Sequence, residues 1–383
     1  MSEINISSKL PNIGTTIFTI MTKMAAEYNA INLSQGFPDF DCPEELMELV
    51  YKNIKEGHNQ YAPMPGIPLL RERIAAKIEK YYGHAYNPET EINITAGATQ
   101  ALFTTITAVV RPGDEVILFE PAYDSYAPGV ITSGGVPVFV PLNENDFSIN
   151  WDRCKEAVTS KTRLIIINSP HNPVGSIITL GDLKHLEEIT RDTNIFIISD
   201  EVYEHIVFDG LRHISLSRSG ELAKRSFVIS SFGKTYHATG WKIGYCAAPE
   251  NLMREFRRIH QFNVFAVNTP IQHAYAEFML NENHYLRLSG FYEEKRNLLA
   301  DALRNSKFKL KKTKGTYFQL LDYSNISDKN DYEFVEYLTK EVGVAAIPLS
   351  PFYSTENNRK LIRLCFAKRD EVLLVAAEKL CSI

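Results

Sequence analysis

Residues 195–203 read Ile-Phe-Ile-Ile-Ser-Asp-Glu-Val-Tyr, an apolar and β-branched run that ends in polar side chains. Such a run predicts a buried strand of a parallel sheet, because a strand covered on both faces shows no polar alternation. Similar runs lie at 92–95, 116–119, 136–140, 164–167, 227–230 and 243–247, and amphipathic stretches such as 151–158 and 183–191 separate them. The alternation predicts an α/β fold with three αβα layers and a mostly parallel sheet.

The pattern changes after Asn268. Residues 271–305 predict long helices with charged faces. Strands are predicted at 316–321, 345–348 and 361–366, and helices at 332–341 and from 370 onward. We therefore predict a large domain at 45–280. A smaller α+β domain is predicted to combine residues 1–44 with 281–383, the N-terminal segment packing onto one of the two.

Composition excludes several classes of protein. The 383 residues carry a formal charge of -5 and a pI near 6.1, which gives no sign of nucleic acid or an anionic membrane as partner. No CxxC or Cys/His cluster occurs, so neither a disulfide framework nor a metal site is expected. The N-terminus lacks a signal-peptide pattern and no apolar run is long enough to span a bilayer, which predicts a cytoplasmic protein. The five cysteines are Cys42, Cys154, Cys246, Cys365 and Cys381.

Two motifs follow apolar runs and contain side chains suited to catalysis or to binding a ligand. Lys234 lies among small residues in Ser230-Ser-Phe-Gly-Lys-Thr235, where a lysine can reach a cleft and form a Schiff base with an aldehyde. Asp200 ends a predicted strand, where α/β sheets place ligand-binding groups, and Tyr203 follows it. A surface lysine and a helix-capping aspartate are the alternative interpretations.

Two further motifs have the same placement. Asn172 lies in the turn Asn168-Ser-Pro-His-Asn-Pro-Val-Gly175, where two prolines and a glycine hold a polar side chain at a set angle. Residues 95–100, Thr-Ala-Gly-Ala-Thr-Gln, join a strand to a helix through small residues, and such a junction can bind a phosphate. Without further context an ordinary strand-to-helix turn is the favoured interpretation of the first motif, and the second pattern is too loose to establish a phosphate site by itself.

In order and spacing, the four motifs resemble those of the class I/II aminotransferases, pyridoxal phosphate enzymes of fold type I. The resemblance lies in 231–244 around Lys234, in Asn172-Pro-x-Gly175, in Asp200-x-x-Tyr203 and in Arg363-Leu-Cys-Phe-Ala367. The segments 32–40, 60–66 and 231–244 resemble the methionine and kynurenine/glutamine-phenylpyruvate aminotransferase branch.

The resemblance implies a cofactor, pyridoxal 5'-phosphate, bound to Lys234, which would also move the substrate proton. Asp200 would pair with the pyridinium nitrogen and keep the ring an electron sink. Tyr203 and Asn172 are implied to hydrogen-bond the 3'-oxygen, and Tyr123 is implied to stack on the ring. Phosphate binding is implied for Ala98, Thr99, Ser231 and Lys242. The wider family has arginine where this chain has Lys242, and the kynurenine-type branch shares the lysine. Cis bonds are implied at Glu120–Pro121 and Asn172–Pro173.

The resemblance also implies the substrate contacts. Arg363 would bind the α-carboxylate through a bidentate fork, and Gly36 would offer a backbone contact. A homodimer with shared active sites is implied, in which Tyr61 reaches the cofactor phosphate of the neighbouring subunit. His171 and His237 are interpreted as hydrogen-bonding spacers rather than as bases.

The preferred donor is predicted from three segments, 16–18, 61–64 and 262–269. They contain no arginine to neutralise a second carboxylate, although Arg257 or Arg258 could approach from a neighbouring helix. Their apolar members are Ile17, Phe18, Tyr61, Met64, Phe262, Val264 and Phe265. These side chains favour a neutral, bulky donor such as methionine, an aromatic amino acid, glutamine or a kynurenine-like compound, with a 2-oxo acid as acceptor in a ping-pong mechanism. A cysteine-conjugate C–S β-lyase and a non-catalytic regulator are the alternatives.

Overall fold

The computed structural model describes residues 6–355 and 359–383. The strands are β1 (Ile31–Asn32), β2 (Ile92–Thr95), β3 (Glu115–Glu120), β4 (Val136–Pro141), β5 (Thr162–Asn168), β6 (Phe196–Asp200), β7 (Ser226–Ser231), β8 (Gly244–Ala247), β9 (Lys309–Leu310), β10 (Phe318–Asp322), β11 (Val344–Ala345), β12 (Ile347–Pro348) and β13 (Leu361–Cys365). The helices are α1 (Ile17–Glu27), α2 (Glu44–Lys55), α3 (Pro68–Tyr82), α4 (Gly97–Val109), α5 (Tyr126–Thr132), α6 (Trp151–Ala157), α7 (Leu180–Thr190), α8 (Gly220–Ala223), α9 (Phe232–Thr235), α10 (Glu250–Asn263), α11 (Thr269–Phe278), α12 (Asn283–Leu286), α13 (Leu288–Ala302), α14 (Asp331–Tyr337) and α15 (Asp370–Cys381).

A seven-stranded sheet in the order β2-β8-β7-β6-β5-β3-β4 forms the centre of the larger unit. β8 runs antiparallel to both neighbours, and the other pairs are parallel. Successive residues of one strand enter different cores: Ile197 packs with one buried cluster and Ile198 with another. Apolar side chains are therefore needed at every position of these strands, as the continuous apolar runs predict. The predicted α/β fold class is confirmed.

The smaller unit contains an antiparallel sheet in the order β12-β13-β10-β9 and a parallel pair, β1 with β11. The N-terminal segment packs here, because α1 lies against β1, β11 and β12. The predicted strand at 316–321 begins only at Phe318, since Thr316 has a φ of +66°, outside the β region. The predicted 345–348 strand is divided between β11 and β12, and the 271–305 region forms three helices.

The division into domains at 45 and 280 stays a prediction. All strands of the seven-stranded sheet lie inside 45–280, and those of the two smaller sheets lie outside it. One buried apolar cluster nevertheless contains residues of both units, among them Ile165 and Ile197 of the large sheet and Leu320 and Leu364 of the small one. No helix in the described part of the chain is long and apolar enough to cross a membrane.

Neighbouring strands bring the predicted polar residues to one edge of the sheet. β5 ends at Asn168, β6 at Asp200 and β7 at Ser231, and these strands are adjacent and parallel. Their carboxyl ends therefore meet, which is where open α/β sheets bind ligands. The peptide bonds Glu120–Pro121 and Asn172–Pro173 are cis, as predicted, and Ser169–Pro170 is also cis.

Candidate active site

A cleft with about 770 Å³ of empty space opens at this edge. Most of the predicted site residues line it, namely Ala98, Thr99, Tyr123, Asn172, Asp200, Tyr203, Ser231, Lys234 and Lys242. Asn168 and Thr239 line it as well, although neither was predicted. Asn168 ends an apolar strand just as Asp200 does, so that its position in the sequence carried a usable signal.

Lys234 lies in the single turn of α9, directly after β7. Its Nζ donates to the carbonyl of Gly36 and to the hydroxyl of Tyr317, both at 2.9 Å. Tyr317 also donates to the Gly36 carbonyl at 2.6 Å, so the three groups hold one another. Burial lowers the pKa of the Lys234 amine to about 8. The amine is therefore far closer to its neutral, nucleophilic form at physiological pH than an exposed lysine is.

Asp200 is 3 % exposed and faces the cleft from the end of β6. Its carboxylate accepts a hydrogen bond from the hydroxyl of Tyr126 at 2.6 Å and one from the Val202 N–H at 3.3 Å. Burial raises the pKa of Asp200 to about 6, and the two hydrogen bonds oppose this rise. Asn168 donates to the Asp200 backbone carbonyl at 3.0 Å and holds the strand end in place. Tyr126 was not predicted, because no local pattern marks it.

Arg363 is 1 % exposed and lies beside the cleft rather than in its lining. One Nη donates to the Asn172 side-chain oxygen at 2.7 Å, and the other to the Ser34 carbonyl at 3.3 Å. The guanidinium lies 3.9 Å from the ring centre of Phe318. The rings of Phe18 and Phe352 lie 5.3 and 5.5 Å away. Nε has no partner among the described residues, so a donor remains for an anionic ligand.

Small residues and a cation meet at the start of α4. Gly97 has a φ of +76°, and a Cβ placed on it would lie 3.4 Å from Lys242 Nζ. Gly244 packs more closely still, since a Cβ there would lie 2.6 Å from the Ser230 carbonyl oxygen and 3.0 Å from the Ala98 nitrogen. Lys242 itself has a φ of +56°, an uncommon conformation for a residue with a side chain. The helix N-terminus, the lysine and the hydroxyls of Thr99 and Ser231 together suit a phosphate.

Two tyrosines complete the lining. Tyr203 is 2 % exposed, and its ring meets that of Tyr317 edge-on with centroids 5.2 Å apart. Burial raises the pKa of Tyr203 and, to a smaller extent, that of Tyr123, for which hydrogen bonds with Ser125 and Thr99 oppose the rise. Both phenols are therefore neutral and can donate a hydrogen bond.

Some predicted residues lie elsewhere. The carbonyl of Gly36 lies at the site, where it already accepts a hydrogen bond from Lys234 Nζ. Phe18 contacts Arg363 rather than the cleft lining. Tyr61 is 83 % exposed, packs edge-on against Phe265 and does not reach this cleft from within its own chain. Ile17, predicted in the donor pocket, is buried in the core instead.

The two arginines that could have entered the donor pocket are engaged on α10. Arg257 donates to the Ile92 carbonyl at 2.8 Å, and Arg258 pairs with Glu255 at 2.8 Å. Met64 lies with both of them in a separate surface cleft. The described structure therefore directs these cations away from the cleft that holds Lys234.

The donor set fits pyridoxal phosphate. A buried carboxylate at Asp200 suits a protonated ring nitrogen, and the start of α4 with Lys242 suits a phosphate. The Lys234 amine suits an aldehyde, and the unpartnered Arg363 Nε suits a substrate carboxylate.

Comparison with known proteins agrees with this geometry. A family model described as aminotransferase class I and II matches residues 28–380. The methionine aminotransferase of Escherichia coli is 49 % identical over 97 % of both chains. The kynurenine–oxoglutarate transaminase of Dictyostelium discoideum is 33 % identical over 98 % of this chain and 95 % of its own. A solved Escherichia coli structure, for which a methionine aminotransferase function was identified, superposes with a TM-score of 0.97 at 48 % identity and covers all of both chains.

The predicted resemblance to the methionine and kynurenine branch is confirmed by these relatives, and none of these findings favours the C–S β-lyase. The match covers most of the chain, including the cleft, Lys234 and Arg363. The chain therefore belongs to the aminotransferase class I and II family, and it is a pyridoxal phosphate-dependent aminotransferase.

Proposed function

We propose that this aminotransferase moves the amino group of a neutral, bulky amino acid, such as methionine, an aromatic amino acid, glutamine or a kynurenine-like compound, to a 2-oxo acid by a ping-pong mechanism. The observation that carries the proposal is the apolar surroundings of Arg363. Among the described residues, the rings of Phe18, Phe318 and Phe352 lie around its guanidinium, so a donor side chain held against them would meet apolar surface. Burying an unpaired carboxylate is expensive, so a dicarboxylate donor is disfavoured. The likeness to an Escherichia coli methionine aminotransferase supports the same choice.

We assign the residues of the cleft as follows. Pyridoxal phosphate supplies an electron sink for the negative charge that develops at the substrate Cα. Arg363 binds and orients the α-carboxylate, and Lys234 accepts the proton from Cα and later returns it. Asp200 would hold positive charge at the ring nitrogen, Tyr203 and Asn172 would donate to the 3'-oxygen, and Tyr123 would stack on the ring. The phosphate is held by Ala98, Thr99, Ser231 and Lys242.

The donor class is tested by the specificity constants for methionine and aspartate with one acceptor. We expect methionine to be preferred by roughly 100-fold, since an unpaired buried charge costs several kcal/mol. Phe18→Leu should lower kcat/KM for methionine by roughly fivefold through lost aromatic contact. The control Phe291→Leu, on α13 and 38 % exposed, should leave it unchanged. Preference for aspartate would overturn the proposal.

We further propose a homodimer in which Tyr61 completes the partner's phosphate site. Tyr61 and Phe262 are 83 % and 87 % exposed, and Phe265, 47 % exposed, packs on Tyr61 with ring centroids 5.5 Å apart. An exposed aromatic cluster of this kind is typical of an interface between proteins.

Sedimentation equilibrium tests the assembly, and the cofactor dissociation constant tests the shared site. Tyr61→Phe should weaken cofactor binding several-fold, because a phosphate hydrogen bond is lost, whereas Tyr51→Phe, at an exposed position of α2, should not. A fully active monomer would contradict the proposal.

We place the enzyme in the cytoplasm. The five cysteines are free thiols, and cysteines without disulfides suit a reducing compartment. Cell fractionation with an activity assay tests this placement, and recovery of the activity outside the cytoplasmic fraction would contradict it.

A further inference from the structure

A second cleft, with about 910 Å³ of empty space, adjoins the active site. Asn168 lines both clefts. Tyr126 lines the second one, while its hydroxyl reaches Asp200 in the first. The two clefts therefore share a wall, and its two residues are among those that hold Asp200 in position.

The walls of the second cleft are apolar and polar in nearly equal parts. Phe147 lies in the loop between β4 and α6 with its side chain 5 % exposed and a φ of +56°. A bulky residue rarely adopts this conformation, which costs about 1 kcal/mol or more and tends to occur at functional sites. The apolar lining consists of Phe119, Leu142, Phe147, Ile149, Ile166, Ile177 and Ile178.

Two opposite charges line the same cleft without pairing. Hydrogen bonds from the Ser148 backbone and hydroxyl, both to Oδ1, together with the nearby Lys314, lower the pKa of Asp146 and keep it ionised. Within residues 6–355 and 359–383, neither a side-chain hydrogen bond nor an ion pair of Lys314 is found, and Asp146 Oδ2 has no hydrogen-bond donor. Asp182 differs, because its oxygens already accept from Trp151 and Thr179. The half-buried Lys314 and the exposed Asp146 thus offer a cation and a carboxylate oxygen beside the apolar part of this cleft.

A buried polar atom also remains without a partner. His171 lines the second cleft and is 6 % exposed, and its Nδ1 makes no hydrogen bond to any described residue. Burial lowers the pKa of His171 to about 3, so the ring is neutral. The interpretation of His171 as a hydrogen-bonding spacer therefore does not account for Nδ1, which makes no hydrogen bond to a described residue. A buried nitrogen of this kind calls for a ligand or a water.

We propose that this second cleft binds a free α-amino acid with an apolar side chain. Its carboxylate pairs with Lys314 and its ammonium with Asp146 Oδ2, while its side chain packs among the apolar walls. His171 Nδ1 offers a hydrogen bond to a polar or sulfur atom of that side chain. Occupancy changes turnover through Tyr126 and Asn168, the shared wall. The inference does not depend on which amino donor the active site prefers.

The probe is 1-aminocyclohexane-1-carboxylate, an α-amino acid that cannot be transaminated because it has no α-hydrogen. Trp151 is a local reporter, since its ring packs on Phe119 with centroids 6.1 Å apart and its Nε1 donates to Asp182 at 2.7 Å. The chain has two tryptophans, so Trp241→Phe leaves Trp151 alone. Tryptophan emission of this holoenzyme is followed during titration, and cofactor absorbance reports any binding in the active site.

We expect a saturable change in Trp151 emission at probe concentrations that leave the cofactor absorbance unchanged, and inhibition with the same half-saturating concentration. Lys314→Met should weaken this binding at least tenfold without changing basal turnover. The matched control is Lys312→Met, at an exposed position two residues away, and it should bind as the parent does. Crystals of the unmutated holoenzyme soaked with the probe should show it beside Lys314. An emission change that appears only together with a change in cofactor absorbance, equal binding by both lysine variants, or only water in the soaked cleft would overturn the proposal.

Discussion

The hydroxyl of Tyr126 donates a 2.6 Å hydrogen bond to the carboxylate of Asp200, and both side chains are at least 95 % buried. The two residues are 74 positions apart in the chain, on α5 and at the end of β6. Burial alone raises the pKa of Asp200, and this bond favours the ionised form. Tyr126 therefore helps to keep Asp200 charged, as its proposed contact with the cofactor ring nitrogen requires.

Tyr126→Phe is expected to raise the pKa of Asp200 further and to weaken cofactor binding roughly tenfold. A hydrogen bond to a charged group contributes about 1.5–3 kcal/mol, and the phenylalanine cannot donate one. The acid limb of cofactor binding should move to higher pH, which titration of cofactor affinity from pH 5 to pH 8 would measure. Tyr81→Phe is the control, because its hydroxyl donates to the surface residue Glu282. An unchanged acid limb in Tyr126→Phe would refute this role.

Lys234→Ala is expected to abolish the visible absorbance of lysine-bound cofactor and to lower turnover by roughly 10²–10⁴-fold, the usual contribution of a proton-transferring residue. Absorbance spectra and steady-state assays would measure both. Lys224→Ala provides the control, since this lysine is exposed and pairs only with Glu221. A Lys234 variant that kept the spectrum and the turnover would disprove the assignment.

The cofactor-free protein is expected to gain stability from Lys234 deprotonation as pH rises. The folded-state pKa of Lys234, about 8, lies below its ordinary value of 10.5, so the unfolded chain binds more protons between these values. Stability must then increase with pH across the window from about 8 to 10.5 and stay level below it. Urea unfolding of the parent minus that of Lys234→Met isolates the effect, expected to be roughly 1 kcal/mol or more. A flat difference would show that this lysine is not perturbed.

Arg363→Lys is expected to lower kcat/KM for the amino donor by roughly 10- to 100-fold while leaving the cofactor spectrum intact. Lysine keeps the charge but loses the planar fork and the stacking on Phe318, worth about 1.5–3 kcal/mol together. Steady-state kinetics and absorbance would separate the two readouts. Arg296→Lys is the control, because Arg296 makes a fork with Asp209 outside the lining of the active-site cleft. Equal losses in both variants would indicate a general effect on the fold.

Many residues of the active-site cleft belong to motifs that short stretches of sequence reveal. Several of these motifs, such as the one at Asp200, follow the end of an apolar strand. Because β5, β6 and β7 are adjacent and parallel, the motifs at their ends lie close together in the fold. Arg363 was also predicted, through a motif of its own strand. Sequence alone therefore indicated the fold class, the family and nine of the sixteen residues that line the cleft, because these depend on motifs of residues close to one another in the chain.

Tertiary structure decided what surrounds these groups. Tyr126, Tyr317 and Phe318 reach Asp200, Lys234 and Arg363 across 74, 83 and 45 residues of chain, and no periodicity encodes such contacts. Tertiary structure also placed Phe18 on Arg363 and Ile17 in the core, although the two are neighbours in sequence. Side-chain direction at a helix start depends on what the helix packs against, and packing depends on the whole fold. Local pattern thus identified the reacting groups, and long-range packing set their pKa values and their partners.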